Sequence, residues 1–141
     1  MWDWGYRGRS PLFFDDGCFQ MSDNDRSRRS GVVLEKSYQF LLWLVPLLDN
    51  FPKSQKFLLG DRIQGLCTDI LEGLVEATYS KNALPHLAAT NIRLEKLRFL
   101  FRLTHELKLL DARRYEFAAR AIDEIGRLVG GWIKASRAVP A

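Results

Sequence analysis

The side chains best suited to bind a ligand are cations that recur along the C-terminal third of the chain. They stand seven residues apart, at Arg113, Arg120, Arg127 and Lys134. Seven residues is close to two turns of an α-helix, so the four side chains lie along one helix face. Such a row predicts a surface that attracts an anionic partner. The alternative is a solvated face on which Glu116 and Asp123 pair with the arginines four residues later.

The basic residues are unevenly distributed. Segments 84–110 and 111–137 carry more Lys and Arg than Asp and Glu, whereas 54–80 carries more acidic than basic residues. The formal net charge of the whole chain is only +4, so the distribution is more informative than the total. We expect an anionic partner on the two basic segments. The candidate nucleic-acid-binding residues are Arg93, Lys96, Arg98, Arg102, Arg113, Arg114, Arg120, Arg127 and Lys134.

Few residues have the spacing of a metal or cofactor site. Asp69, Glu72 and Glu76 share helical spacing, but they face away from the predicted core stripe of their helix. Metal sites in helical bundles face the core. His86 and His105 show neither HxxxH nor HExxH spacing and have no nearby cysteine. We therefore expect no metal site and no cofactor.

The two cysteines, Cys18 and Cys67, form no CxxC motif, which favours a reducing compartment. The N-terminus lacks the basic-then-apolar pattern of a signal peptide. The longest apolar run, 40–48, contains Pro46 and is too short to span a bilayer. The expectation is a cytoplasmic protein without a membrane partner.

Apolar residues with a period near 3.6 predict four amphipathic helices, at 33–50, 55–79, 84–110 and 112–132. The core stripe of helix one is Leu34, Tyr38, Leu41, Val45 and Leu48. That of helix two is Leu59, Ile63, Leu66, Ile70, Leu74 and Ala77. That of helix four is Ala118, Ile122, Ile125, Val129 and Trp132. Asp111 is the predicted N-cap of helix four, and Gly130-Gly131 could end that helix early. Short turns between the helices predict an all-α, up-down-up-down four-helix bundle.

Predicted helix three is apolar on two sides. One face carries Leu87, Leu94, Leu97 and Phe101. The roughly opposite face carries Ile92, Phe99, Leu100, Leu103, Leu107 and Leu110. One small bundle core cannot cover both faces. Either the helix is central in the fold, or its second face meets another subunit or protein.

The predicted domain organisation is an irregular or disordered extension at 1–32, a four-helix bundle at 33–136 and a tail at 137–141. Residues 1–20 are rich in aromatic residues and glycine without a helical period, and 22–31 is polar. One hypothesis makes Met21 the natural start of the protein. The other makes 1–20 an arm that binds a partner through its aromatic residues. Apart from this arm, the sequence shows no aromatic platform for nucleic-acid bases, so we expect little base specificity.

One short element permits a catalytic alternative. Arg98 and His105, with six residues between them, would lie on one face of helix three. The pair resembles the Arg-x4-6-His element of HEPN-domain ribonucleases, which are also all-α. In that interpretation His105 acts as acid or base while Arg98 stabilises charge. The competing interpretation is a core or interface histidine that is hydrogen-bonded to a neighbour.

A resemblance extends over most of the bundle. It is carried by LLWLVPLLDNFPKSQKFLLGDRIQ (41–64), LVEATYSKN (74–82) and NIRLEKLRFLFRLTHELKLLDARRYEFAARAIDEIGRLVGGWIK (91–134). These stretches resemble the accessory variability determinant family of diversity-generating retroelements. That family is similar in turn to the four-helix-bundle proteins encoded in rRNA intervening sequences, whose role is unknown and which are the alternative.

The resemblance implies a non-enzymatic accessory protein. It implies that four-helix protomers form a ring-shaped homo-oligomer, a pentamer in the family. It also implies binding of the reverse transcriptase and of template RNA and cDNA, in support of mutagenic reverse transcription. The two-sided helix three and the basic C-terminal hairpin agree with these expectations.

Overall fold

A computed structural model describes residues 21–138 of the chain, and all regular structure in that range is helical. Helix α1 spans Met21–Leu48, α3 spans Leu84–Glu106 and α4 spans Ala112–Ala138. Helix α2 is composite: a short turn at Lys53–Gln55, a π-helical turn at Lys56–Gly60 and a regular helix at Asp61–Tyr79. Helices α1 and α3 each pack against both α2 and α4. The predicted all-α four-helix bundle is confirmed.

The core is filled from all four helices. The stripes predicted for the second and fourth helices are buried throughout. On α3, the face of Leu87, Leu94, Leu97 and Phe101 is buried as predicted. Trp132 and Phe101 are the largest fully buried side chains of the described residues. Four-residue and three-residue spacings therefore located these faces correctly.

The core face of α1 differs from the predicted one. The buried residues are Ser30, Val33, Ser37, Phe40, Leu44 and Leu48. Of the predicted stripe only Leu48 is buried, and Val45 is exposed. Two serines occupy positions on the buried face, so the sequence alone made that face look polar. A small hydroxyl side chain fits where another helix packs closely, and the large apolar residues follow at helical spacing.

The bundle also begins earlier and ends later than predicted. Residues 21–32 were expected to be irregular, but they form the first turns of α1. The Arg29 guanidinium donates a hydrogen bond from Nη1 to the Gly131 carbonyl oxygen at 3.3 Å, which joins this segment to α4. Helix α4 passes through Gly130-Gly131 and continues to Ala138, so Lys134 is helical. The hypotheses about 1–20 and the end of the tail at 139–141 fall outside the described residues.

One segment of α1, Ser27–Leu48, has the length and mean hydropathy, 1.2, of a membrane span. It is longer than the apolar run at 40–48 that the sequence singled out. The same segment supplies Val33, Phe40, Leu44 and Leu48 to the core of the bundle. Of the 18-residue window that defines this segment, 28% is buried inside the bundle.

The π-helical turn at the start of α2 was not predicted. The Asp61 N–H donates to the Lys56 carbonyl five residues earlier, which defines the wider turn. Leu59 and Gly60 face the core, whereas Phe57 and Leu58 are exposed. The wider turn therefore directs Leu59 and the following core residues of α2 into the bundle, while Phe57 and Leu58 remain on the surface.

Gly73 of α2 allows a close approach of α3. A Cβ atom at Gly73 would lie 2.6 Å from Thr90 Oγ1 on α3. Gly60 is buried in ordinary contacts, and a Cβ at Gly65 would meet nothing within 4 Å. Gly65 is therefore on the outer side of α2 and plays no part in the approach of another helix.

Helix α3 ends at Glu106 rather than at the predicted Leu110. The Leu109 N–H donates to the Thr104 carbonyl at 2.9 Å, and the Lys108 N–H donates to the His105 carbonyl at 2.9 Å. These two bonds form a Schellman motif, whose left-handed position is occupied by Lys108 with φ of 64°. Leu110 is buried within the connection to α4.

We expect Lys108→Gly to stabilise the protein by about 1 kcal/mol, because a side chain at a left-handed position costs roughly that much. Chemical denaturation followed by far-UV circular dichroism measures the change. Lys108→Ala is the matched control and should leave stability nearly unchanged, since alanine has the same Cβ conflict. Equal shifts for the two variants would contradict this explanation.

Candidate nucleic-acid interface

The cationic row predicted on the fourth helix lies on its solvent side. Arg113, Arg120, Arg127 and Lys134 are all exposed. The buried stripe from Ala118 to Trp132 occupies the other side of the same continuous helix. The structure therefore presents these cations together along one outer face.

Four of the nine candidate cations are engaged by neighbouring carboxylates. Arg102 pairs with Glu106 at 3.4 Å, Arg114 with Asp111 at 2.7 Å, and Arg120 with Glu116 at 2.6 Å, while Arg98 contacts both Glu95 and Asp123. Exposed pairs of this kind contribute little to stability. They do reduce the field that an approaching phosphate would meet.

The other five candidates form no ion pair within residues 21–138. They are Arg93, Lys96, Arg113, Arg127 and Lys134. Of the two pairs in the alternative interpretation, Glu116 with Arg120 forms, whereas Asp123 contacts Arg98 of α3 and not Arg127. Three of the five unpaired cations lie on α4, where their charge is available to a ligand.

Arg98 connects α3 to α4 across a cleft of about 300 Å³. Its Nε and Nη2 donate to Asp123 Oδ1 at 3.3 and 3.2 Å, and its Nη1 contacts Glu95. Gly126 leaves room for this approach, since a Cβ there would lie 3.0 Å from Arg98 Nη2 and the guanidinium would have to shift slightly. Asn91 and Arg127 complete the lining of the cleft. Arg98 is thus held by two carboxylates and is half-buried between the helices.

His105 has a different environment from Arg98. Its Nδ1 lies 3.1 Å from the Leu110 carbonyl oxygen, a hydrogen bond in which the histidine must be the donor. Its ring stacks on Tyr115, with centroids 4.6 Å apart and planes 3° from parallel. These contacts join the end of α3 to the start of α4. The structure gives Arg98 and His105 separate partners and brings them into no shared arrangement.

Arg93 and Lys96 face the other side of α3 and line a groove against α2. The groove has a volume of about 470 Å³. Its lining is Leu58, Asp61, Arg62, Gly65, Leu66, Asp69, Arg93 and Lys96. Cations and carboxylates alternate there, so this groove has less net charge than the outer face of α4.

The acidic residues of α2 are dispersed. Glu76 lies 3.5 Å from His86 Nδ1 on α3, whereas Asp69 lines the groove between α2 and α3. No group of three or more His, Cys, Asp or Glu converges in the part of the chain that the structure describes. Burial raises the pKa of the Cys67 thiol to about 12, so this cysteine stays protonated at neutral pH.

Asp111 caps α4 as predicted. Its Oδ1 accepts a hydrogen bond from the Arg114 backbone N–H at 2.8 Å, and its Oδ2 accepts one from Arg114 Nη1 at 2.7 Å. The backbone hydrogen bond is the main cause that lowers the pKa of Asp111. The cap fixes the helix start four residues before Tyr115 and thereby orients the first arginines of the cationic face.

The cationic face of α4 also carries an aromatic residue that was not predicted from the sequence. Phe117 of α4 is 50% exposed, and its ring lies 4.6 Å from that of Trp43 on α1. The available signal was spacing: Phe117 stands four residues after Arg113 and three before Arg120. Residues at those distances are neighbours on a helix surface.

These features define an all-α bundle protein whose outer surface is cationic on its C-terminal hairpin. A family model described as bAvd-like matches residues 31–136, and the chain belongs to this family. It is the accessory variability determinant family that the sequence resembles, and the chain is an Avd-type accessory protein.

A solved structure has a similar fold: a protein of unknown function from the S23 ribosomal protein family of Bacteroides thetaiotaomicron. It is 21% identical and superposes with a TM-score of 0.69. The match covers 75% of this chain and 98% of the other. At this identity the similarity concerns the fold alone. A search of curated proteins found no match for this chain.

Proposed function

We propose that this protein is a non-enzymatic accessory factor of a diversity-generating retroelement and acts in the cytoplasm. It binds the reverse transcriptase together with template RNA and cDNA, and so supports mutagenic reverse transcription. The observation that carries the proposal is the set of unpaired cations on the outer face of α4, in a chain that belongs to the bAvd-like family.

The nucleic acid is held through its phosphates. Arg113, Arg127 and Lys134 form no ion pair among residues 21–138, so phosphate groups do not have to displace protein carboxylates to reach them. Contacts of this kind release counterions from the nucleic acid and position its backbone without reading sequence. Affinity should therefore fall steeply as the salt concentration rises.

Self-association is the second part of the proposal, with a ring of about five protomers as in the resembled family. Ile92, Phe99 and Leu103 lie on the outer side of α3, Leu107 follows directly after its end, and each of the four is exposed. Large exposed apolar side chains gathered on one side of a helix are typical of a protein interface. A ring repeats the cationic face once in each protomer, and simultaneous contacts convert weak phosphate binding into strong binding.

The test of nucleic-acid binding is a titration of labelled template RNA with the full chain. Fluorescence anisotropy is measured between about 50 and 200 mM salt, where the logarithm of the affinity should fall linearly with the logarithm of the salt concentration. Co-elution with the cognate reverse transcriptase in size-exclusion chromatography tests the protein partner. Absence of RNA binding at the lowest salt would overturn the nucleic-acid part.

The test of self-association is the mass in solution from light scattering. We expect a ring-sized mass for the wild type and a monomer mass for Phe99→Lys combined with Leu103→Lys, because buried charges oppose the apolar contact. Leu42→Lys on α1 is the matched control: Leu42 is exposed to a similar extent, and its substitution should leave the mass unchanged. A monomeric wild type would rule out the ring.

A further inference from the structure

A chain of four aromatic rings runs from the core of the bundle to its cationic surface. Phe101 is buried, and its ring centroid lies 6.0 Å from that of Phe40. Phe40 stacks on Trp43 at 5.7 Å, and Trp43 contacts Phe117 at 4.6 Å with planes inclined by 38°. Phe117 is therefore supported from beneath by packed rings, while half of its own surface remains exposed.

The surroundings of Phe117 are basic. Arg113 and Arg114 stand four and three residues before it on α4, and Arg120 stands three residues after it. Each of these positions is adjacent to Phe117 on the helix surface. Arg113 forms no ion pair among the described residues, whereas Arg114 and Arg120 each contact one carboxylate.

We propose that Phe117, supported by Trp43, is a base-stacking site for single-stranded nucleic acid. This inference rests on the proposed function and adds to it the form of nucleic acid that the surface selects. A fixed aromatic ring beside cations is the arrangement by which proteins bind single strands: the ring stacks on a base while the cations contact the adjacent phosphates.

Phe117 distinguishes single strands from duplexes. Bases in a duplex are stacked on one another and cannot lie on a side chain, whereas an unpaired base can. Every base has an aromatic face, so this contact tolerates any sequence. The sequence-based expectation of little base specificity is retained. Binding of a single strand depends on stacking against Phe117 as well as on the cations. The contact with Trp43 restricts the Phe117 ring before a base arrives, which reduces the conformational entropy lost on stacking.

The test compares Phe117→Leu with the wild type by fluorescence anisotropy. The probes are an RNA strand and a DNA strand of about 12 nucleotides and their duplexes. Leucine keeps an apolar side chain of similar size against Trp43 but has no aromatic face. Loss of one stacking contact should lower the affinity for both single strands about 5- to 150-fold, without a change in salt dependence. The affinity for the duplexes should change by less than about twofold, because they contact the cations only.

Two further variants control for indirect effects. Phe117→Trp should restore single-strand binding, since tryptophan stacks on bases as well as phenylalanine does. Phe57→Leu removes a phenylalanine of even greater exposure, 64%, located at the start of α2 away from α4. It should leave the affinity for single strands unchanged.

Three results would overturn the stacking site: unchanged single-strand affinity in Phe117→Leu, an equal loss for single strands and duplexes, or a change in the oligomer mass. The last would mean that Phe117 packs against protein. These results are separable from the proposed function. If removal of the unpaired cations weakens binding while Phe117→Leu does not, the cationic interface is retained and the stacking site is rejected.

Discussion

Substituting glutamine for Arg113, Arg127 and Lys134 together is expected to lower the affinity for RNA by about 100-fold at low salt. The estimate assumes about 1 kcal/mol for each cation-phosphate contact at the protein surface. The slope of log affinity against log salt should decrease by about 2, since each lost contact with a single strand contributes about 0.7. Fluorescence anisotropy with labelled template RNA, repeated across a salt series, measures both quantities.

The structure supplies a control with the same change in charge. Arg102, Arg114 and Arg120 are exposed arginines that already pair with Glu106, Asp111 and Glu116. Their replacement by glutamine should lower the affinity several times less than the first triple substitution does. An equal loss for the two triple variants would mean that only total charge matters, and the distinction between paired and unpaired cations would have to be abandoned.

The largest expected effect on stability is at Gly73, where α3 packs closely against α2. In Gly73→Ala the new Cβ would lie 2.6 Å from Thr90 Oγ1 and 3.5 Å from Arg93 Nη1. Thr90 is fully buried, so it cannot move into solvent to relieve the overlap. We expect a loss of about 2 kcal/mol in the free energy of unfolding, even after the gain in helix propensity of about 1 kcal/mol. Urea denaturation at fixed protein concentration measures this change.

Two variants isolate the overlap as the cause. Gly65→Ala is on the same helix, has open space around the added methyl group and should gain about 1 kcal/mol. Thr90→Ala in the Gly73→Ala background removes the overlapping oxygen and should recover most of the loss. Thr90 Oγ1 has no hydrogen-bond partner in the described structure, so its removal leaves no partner unsatisfied. Similar shifts for Gly65→Ala and Gly73→Ala would refute the explanation.

Periodicity predicted the helices and most of the core because it depends only on each helix by itself. In α4 the apolar residues from Ala118 to Trp132 repeat without interruption, and all are buried. The cap at Asp111 was predictable for the same reason, since a side-chain acceptor contacts N–H groups within its own first turn. The second apolar face of α3, predicted to be either central in the fold or part of an interface, is only partly uncovered: Ile92, Phe99 and Leu103 are exposed, whereas Leu110 is buried.

Features that depend on a second helix were not predictable. Ser37 is buried on α1 because neighbouring helices pack against it, and its own sequence neighbourhood gives no sign of this. The alternative interpretation paired Asp123 with Arg127 within α4, but Asp123 contacts Arg98 of α3. Phe117 acquires its support from Trp43, a residue far away in the sequence. In each case the environment of the residue is set by a side chain of another helix, which local spacing does not reveal.

The pairing of the cations with carboxylates also depends in part on a second helix and was not fully predictable from the sequence. Composition identified nine candidate residues, but their local spacing could not separate those with carboxylate partners from those without. Arg127 illustrates the point: it is unpaired because its expected partner turns toward α3. The division of candidates into paired and unpaired groups required the positions of all the helices.

The π-helical turn at Lys56–Gly60 has a consequence for length variation among chains of this fold. A π-helical turn contains one residue more than an α-helical turn. Deletion of the exposed residue Phe57 or Leu58 would restore a regular turn and leave Ile63 and all later core residues in place. A deletion after Asp61 would instead rotate every following side chain by about 100° and move the core stripe out of the bundle. Evolution can therefore accept a shorter α2 at this turn but not within the helix that follows it.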